Sequence, residues 1–230
     1  MAASLETRRG DWISTFTGRV FWPLDPRPED VDIVDIAHAL SHLCRWGGHT
    51  TAHWSVAQHS IMVSEIAPQE LALAALLHDA AEAYIGDLMR PVKRNLRFES
   101  ETMQEVEDRI LWAIGQALDV PDLVTSVNSE EIETLDLVVM MTECRDLRPG
   151  SDANPVCWDP KLEIAPLPTR IVVADRRQQV MDFVMKNRHQ HPDWLAAGLA
   201  RLEVLDDEVE LTKSRFLKRY ESLKAPISSG

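Results

Sequence analysis

Residues 71–85, LALAALLHDAAEAYI, constrain the fold more than any other stretch of the chain. Read as a helix from Gln69 to about Ile85, the segment has no polar face to offer water, so it belongs at the centre of a bundle. Gly86 and Pro91 end it. Helical periodicity continues on both sides. From Val31 onward Ile33, Ile36, Ala37, Leu40, Leu43 and Cys44 recur at intervals of three and four until Gly47-Gly48. A second helix spans about His53 to Ile66 and stops at Pro68. Amphipathic stretches follow at about 99–118, 129–147 and 171–188. After His191-Pro192 a charged helical tail covers roughly 205–223. Strand signals are scarce, and there is no internal repeat. The pattern predicts an all-α fold, one helical-bundle domain over residues 1–230. Residues 1–30, broken by Gly10, Gly18, Pro23, Pro26 and Pro28, read as an arm laid over the core. Residues 148–168 hold five prolines and read as a long loop.

Charge and cysteine usage narrow the function classes. A formal net charge of −13 repels polyanions, and no basic stripe suited to polymeric nucleic acid is visible. A small anionic substrate is still compatible, because a metal and a few local cations outweigh a distant field. The three cysteines, Cys44, Cys144 and Cys157, lack CxxC spacing. Their odd number fits reduced thiols. No apolar run reaches the ~18 residues needed to span a bilayer, and no signal-peptide pattern opens the chain. The expectation is a soluble, cytoplasmic protein without a membrane partner.

The chemistry lies in polar groups where the pattern calls for apolar ones. His78 and Asp79 interrupt the central run, and Glu82 follows one turn later. At helical spacing, His78 with Glu82 and Asp79 with Glu82 crowd one stretch of surface. Asp87 lies just beyond. A bare buried carboxylate must be paired, protonated or bound to metal. No Lys or Arg stands between Ile61 and Met89, which favours metal. His59 shares a helical face with Val56, Val63 and Ile66. Asp136 shares one with Ile132, Val139 and Met140 inside the apolar run LDLVVMM. Two histidines and two aspartates make a mixed N/O set suited to a divalent transition metal. Each of the four taken singly has an ordinary alternative as a hydrogen-bonded core residue.

The order His59…His78-Asp79…Asp136 resembles the defining motif of the HD-domain metal-dependent phosphohydrolases. The segments SVAQHS (55–60), ALLHDAAEAYIGDLMRPVK (75–93) and TECRDL (142–147) resemble more closely the YfbR-like 5'-deoxynucleotidase family, with its prophage relatives and the phage dATP triphosphohydrolases. The stretch DIVDIAHALSHLCRWGGH (32–49) is similar to the prophage branch. The likeness runs from about Thr17 to Arg148 and resumes weakly at IAPLP (164–168) and FLKRYESL (216–223). Residues 169–207 depart from it and read as an insertion, followed by a C-terminal helix and tail at 208–230.

The resemblance implies roles. His59, His78, Asp79 and Asp136 would bind a divalent ion (Co, Mn, Zn or Fe), with Mg as an eventual second ion. Glu82 would orient or deprotonate the attacking water or protonate the leaving oxygen, and Asp87 would complete the catalytic site. Arg45 and Trp46 would line the nucleotide pocket, the guanidinium on phosphate and the indole against C2' of the sugar. Lys93 would neutralise phosphate or be solvated like Arg94, and His49 would face the pocket. The implied activity is hydrolysis of deoxynucleoside 5'-monophosphates to nucleoside and phosphate. Alternatives are release of triphosphate from a dNTP, a nucleotide-binding regulator without turnover, and a diiron oxygenase. The resemblance also implies a homo-oligomer, a dimer or larger.

Overall fold

The structure is a computed structural model that describes residues 8–148, 165–168, 171 and 194–225. Helices dominate it: α1 (Ile33–His42), α2 (Val56–Ile66), α3 (Ala72–Leu76), α4 (Glu82–Ile85), α5 (Arg90–Lys93), α6 (Met103–Ala117), α7 (Leu123–Val127), α8 (Glu130–Leu147) and α9 (Trp194–Lys224). Two antiparallel hairpins accompany them. β1 (Ile13–Ser14) pairs with β2 (Val20–Phe21), and β3 (Arg97–Phe98) pairs with β4 (Glu101–Thr102). The segment read as an arm over the core contains one hairpin, and Phe21 at its end is fully buried against Tyr84. No helix among the described residues is long and apolar enough to cross a membrane.

Local chemistry starts the longer helices where they start. Asp32 caps α1 by accepting from Val34 N, and Ser129 caps α8 by accepting from Ile132 N. Ser55 with Gln58 and Thr102 with Glu105 form reciprocal capping boxes at α2 and α6. Ile36, Leu40, Val56, Val63, Leu76, Leu77, Ile110, Ile114, Ile132 and Phe216 close the core, each 1% exposed or less. The C-terminal helix docks on α1, α2 and α3. Arg219 on that helix binds the hydroxyl and carbonyl of Ser64 on α2 at 3.0 and 2.8 Å.

The structure departs from the sequence reading at four places. The first helix ends at His42, before Gly47-Gly48, because the chain turns to pair with the approach to α2. Cys44 bridges Ser55, and Arg45 N–H donates to the Trp54 carbonyl at 2.8 Å. Cys44 is consequently exposed. The long central helix is interrupted: α3 ends at Leu76, residues 77–81 form turns with i→i+3 bonds such as Ala80 N to Leu77 O, and α4 begins at Glu82. The tail is longer than read, since α9 runs unbroken through the boundary set at 207/208. Finally, Cys144 is disulfide-bonded, so the expectation of three reduced thiols fails at that position. Cys157 lies outside the described residues. The amphipathic stretch at 171–188 and most of the 148–168 loop and the 169–207 insertion also fall outside them.

Candidate metal centre and adjoining cavity

Three neighbouring elements bring the ligand candidates together. His59 projects from the first turn of α2, fully buried. His78 and Asp79 sit in the turn between α3 and α4, and Asp136 sits in the second turn of α8. His59 Nε2 lies 3.2 Å from His78 Nε2 and 3.0 Å from Asp136 Oδ1. Asp79 Oδ2 lies 3.2 Å from His78 Nε2 and 3.8 Å from His59 Nε2. Ligand atoms of His59, His78 and Asp79 all fall within 4.8 Å of one another, so this group can hold a metal ion. Asp136 borders both imidazoles, with its Oδ1 4.0 Å from His78 Nε2.

The outer nitrogens decide what the inner ones offer. His78 Nδ1 donates to the Ala75 carbonyl at 2.8 Å, and His59 Nδ1 to Glu143 Oε1 at 2.8 Å. Both acceptors carry no proton, so each neutral ring presents a lone pair at Nε2. Two such lone pairs 3.2 Å apart, flanked by carboxylates, call for positive charge between them. The electrostatics agree. Without an ion a proton supplies that charge: burial and Arg45 pull the His59 imidazole down, yet Glu143 and Asp136 outweigh them and hold it up at about 9, so an ion that binds at Nε2 displaces that proton. Asp79 Oδ2 and Glu82 Oε2 are buried without a hydrogen-bond partner, as expected of oxygens aimed at a cation or a reacting group. The donor set and its orphaned oxygens therefore fit a divalent ion.

Surrounding carboxylates behave differently according to their neighbours. Burial pushes Asp79 up, but His78, Arg45 and His59 together hold it well below the usual carboxylate range. Asp136 is likewise lowered against burial by His59 and His78. Glu143 is held at about 2 by His59 and Arg45 despite its burial. Glu82 goes the other way: burial, then Asp79 and Asp87, raise its carboxyl well above normal. Asp87 is raised by burial and by Asp79. One site thus holds Asp79 and Asp136 shifted down beside Glu82 and Asp87 shifted up, the kind of separation that acid–base work requires.

A cavity of about 440 Å³ opens from this cluster. Asp79, Glu82, Asp87 and Asp136 line it together with Arg45, Trp46, Lys93, Met89 and Met140. Arg90, Arg94 and Arg97 complete a cationic rim. A second space of about 260 Å³ adjoins it, sharing Asp79, Glu82, Lys93 and Asp136 and bounded beyond them by Glu107 and Glu133.

Eight of the residues singled out in the sequence as catalytic, substrate-binding or ligand positions line one or the other space, and His59 stands directly behind them. His49 does not join them. It is exposed and absent from both linings, because the tight bend at Arg45–Gly48 carries it past the pocket. Lys93 is neither a free phosphate ligand nor a solvated cation, since its Nζ is 2.6 Å from Glu107, which is itself almost fully buried. Arg45 reaches into the cluster, 3.6 Å from Asp79 and 3.5 Å from Glu143. Sequence reasoning missed Glu143 and Glu107. The signal for Glu143 was present, since it lies two helical turns from Asp136 within the apolar run VVMMTEC, the same anomaly that marks Asp136.

No family model matches the chain. Two curated bacterial proteins do. A protein of Rhodobacter capsulatus, named only as uncharacterized, is 34% identical over 152 residues, which cover 62% of this chain and 76% of that protein. The uncharacterized protein YfdR of Escherichia coli K12 is 38% identical over 136 residues, which cover 59% of this chain and 72% of YfdR. At that identity over nearly three quarters of YfdR, the chain belongs to the YfdR family.

Proposed function

We propose that the protein is a divalent-metal-dependent phosphohydrolase of the HD type, acting on deoxynucleotides, most simply a 5'-deoxynucleotidase. One observation carries the reading: two imidazoles with their outer nitrogens committed as donors turn their inner nitrogens onto two aspartates, at the wall of a cavity whose rim is cationic. That cavity lies within the roughly 300–1,000 Å³ usual for small-molecule sites. The order of the four residues along the chain supports the HD assignment by resemblance.

His59, His78, Asp79 and Asp136 are the residues to hold the ion, which when bound polarises a phosphate oxygen and lowers the pKa of water beside it. The rest falls to the chain's own groups. Glu82, buried on the cavity wall with its carboxyl raised above the usual range, gives a proton to the leaving oxygen when protonated, or orients and deprotonates the attacking water when ionised. Arg90, Arg94 and Arg97 meet the anionic end of a substrate. Lys93, held by Glu107, adds positive charge nearer the reacting centre. Trp46 presents its indole to the same cavity as a wall for the sugar.

The cationic rim also favours a second reading. Three arginines, Arg90, Arg94 and Arg97, around one cavity exceed what a monophosphate needs, and they suit a dNTP cleaved after the α-phosphate to release triphosphate. The deciding experiment measures phosphate and triphosphate released from panels of dNMPs, NMPs and dNTPs, with Co²⁺, Mn²⁺, Zn²⁺ and Mg²⁺ supplied in turn. Phosphate from dNMPs supports the first reading and triphosphate the second. Silence across all substrates and metals would remove both.

A further inference from the structure

Glu143 has more to do than orient one histidine. Its carboxylate is fully buried, yet four donors from three segments converge on it. Oε1 accepts from His59 Nδ1 and from Trp54 Nε1, both at 2.8 Å. Oε2 accepts from Trp46 Nε1 at 3.1 Å and faces Arg45 Nη2 at 3.5 Å. The first oxygen therefore serves a ligand of the cation site, and the second serves the pocket wall.

Trp46 needs such a hold. Its backbone sits at φ 59°, in the left-handed region that bulky residues avoid, and Gly47 follows at φ 58°. Arg45 beside it is shared between Glu143 and Asp79, and its buried Nε has no hydrogen-bond partner. A divalent ion bound among His59, His78 and Asp79 changes the charge on the His59 ring and with it the strength of Nδ1–H as a donor to Glu143. It also competes with Arg45 for Asp79. Both effects reach residues 45 and 46 through contacts already made.

We infer that Glu143 is a positioning residue that couples occupancy of the cation site to the setting of Trp46 and Arg45. The inference rests on the reading of His59, His78 and Asp79 as cation ligands. Because coupling is reciprocal, whatever the ion does to Trp46, loss of the Trp46 hydrogen bond must return to the ion.

The test uses the full chain labelled with 5-fluorotryptophan and titrated with Zn²⁺, followed by ¹⁹F NMR and by calorimetry. Trp46→Phe and Trp54→Phe assign the two signals. In the wild type the Trp46 resonance shifts as zinc binds. In Glu143→Gln zinc binds roughly 10–100-fold more weakly, the usual cost of losing a carboxylate behind a histidine ligand, and the Trp46 signal stays put even at saturating zinc. If Glu143→Gln fails to fold, Trp46→Phe decides by calorimetry: coupling requires its zinc affinity to fall by about fivefold or more. A wild-type Trp46 signal that ignores zinc, or a Trp46→Phe affinity equal to wild type, overturns the coupling and leaves the cation site standing. Zinc binding untouched by His59→Ala overturns the site reading itself.

Discussion

The two walls of the cavity are built on opposite principles. On one side Asp79 lines the cavity, backed by His59, His78 and Glu143, which are buried and hydrogen-bonded to outer partners at 2.8–3.1 Å on elements anchored in the core. On the other, Arg90 stands on a one-turn helix, Arg94 just past its end and Arg97 on a two-residue strand, with solvent around them. The hairpin bearing Arg97 is tied to the arm by Arg9, which pairs with Glu99 and Glu101. A buried charge whose partner is removed has no water to turn to, so the first wall tolerates little change. Exposed charges are screened and exchangeable, so the second can vary by degrees. Geometry is specified where chemistry demands it, and only electrostatic sign is specified at the rim.

Replacing a ligand should break this contrast most severely. Asp79→Ala or His78→Ala abolishes turnover and stoichiometric metal while far-UV circular dichroism keeps most of the helix signal. Near-normal activity in either variant would falsify the ligand assignment. Stripping metal from the wild type tests the same wall without mutation. An ion present at 100 times its Kd adds about 2.7 kcal/mol. For a chain of this size, that lowers Tm by roughly 5–10 °C on chelation. An unchanged melting curve speaks against a buried ion.

Glu82→Gln comes next. It preserves shape and removes the titrating group, so kcat falls about 10²–10⁴-fold with metal content retained. Should metal be lost instead, Glu82 is a ligand, and the proton-transfer role passes to Asp87.

Trp46 is tied to the buried side through Glu143 yet lines the cavity, so on the proposed reading its effect is intermediate. An indole against C2' leaves an added hydroxyl without a partner, a cost of about 1–3 kcal/mol, or roughly tenfold to a hundredfold in kcat/KM. The wild type should therefore prefer deoxynucleotides, and Trp46→Ala should close that gap by admitting ribose. Matched dNMP/NMP and dNTP/NTP pairs measure it; undiminished selectivity in the variant refutes the sugar-wall role.

The rim should respond least. Arg94→Ala raises KM by no more than about fivefold, the worth of one exposed charge pair, and the effect shrinks with added salt. A loss of tenfold or more in kcat, insensitive to salt, would show that the two walls are not as different as their burial indicates.

Much of this site could be read from the chain alone. A helix-rich fold follows from the periodicity of residues 33–44 and 129–147 and from caps such as Ser55 and Ser129, because hydrophobic spacing and local hydrogen bonds act over a few residues. His59, His78, Asp79 and Asp136 stood out because a polar group on an apolar stripe is an anomaly visible without coordinates. Three-dimensional packing decided the rest. The break between α3 and α4 was hidden, since the Ala- and Leu-rich run favours helix throughout and only the surroundings require the turn that carries His78 and Asp79. His49 was misplaced because the sense of the bend at Trp46 depends on pairing between Cys44 and Ser55. Glu143 gathers donors from residues 45, 46, 54 and 59, and Glu107 finds Lys93. Partnerships of that kind join residues far apart in the chain and carry no periodic signature, so only the packed structure could reveal them.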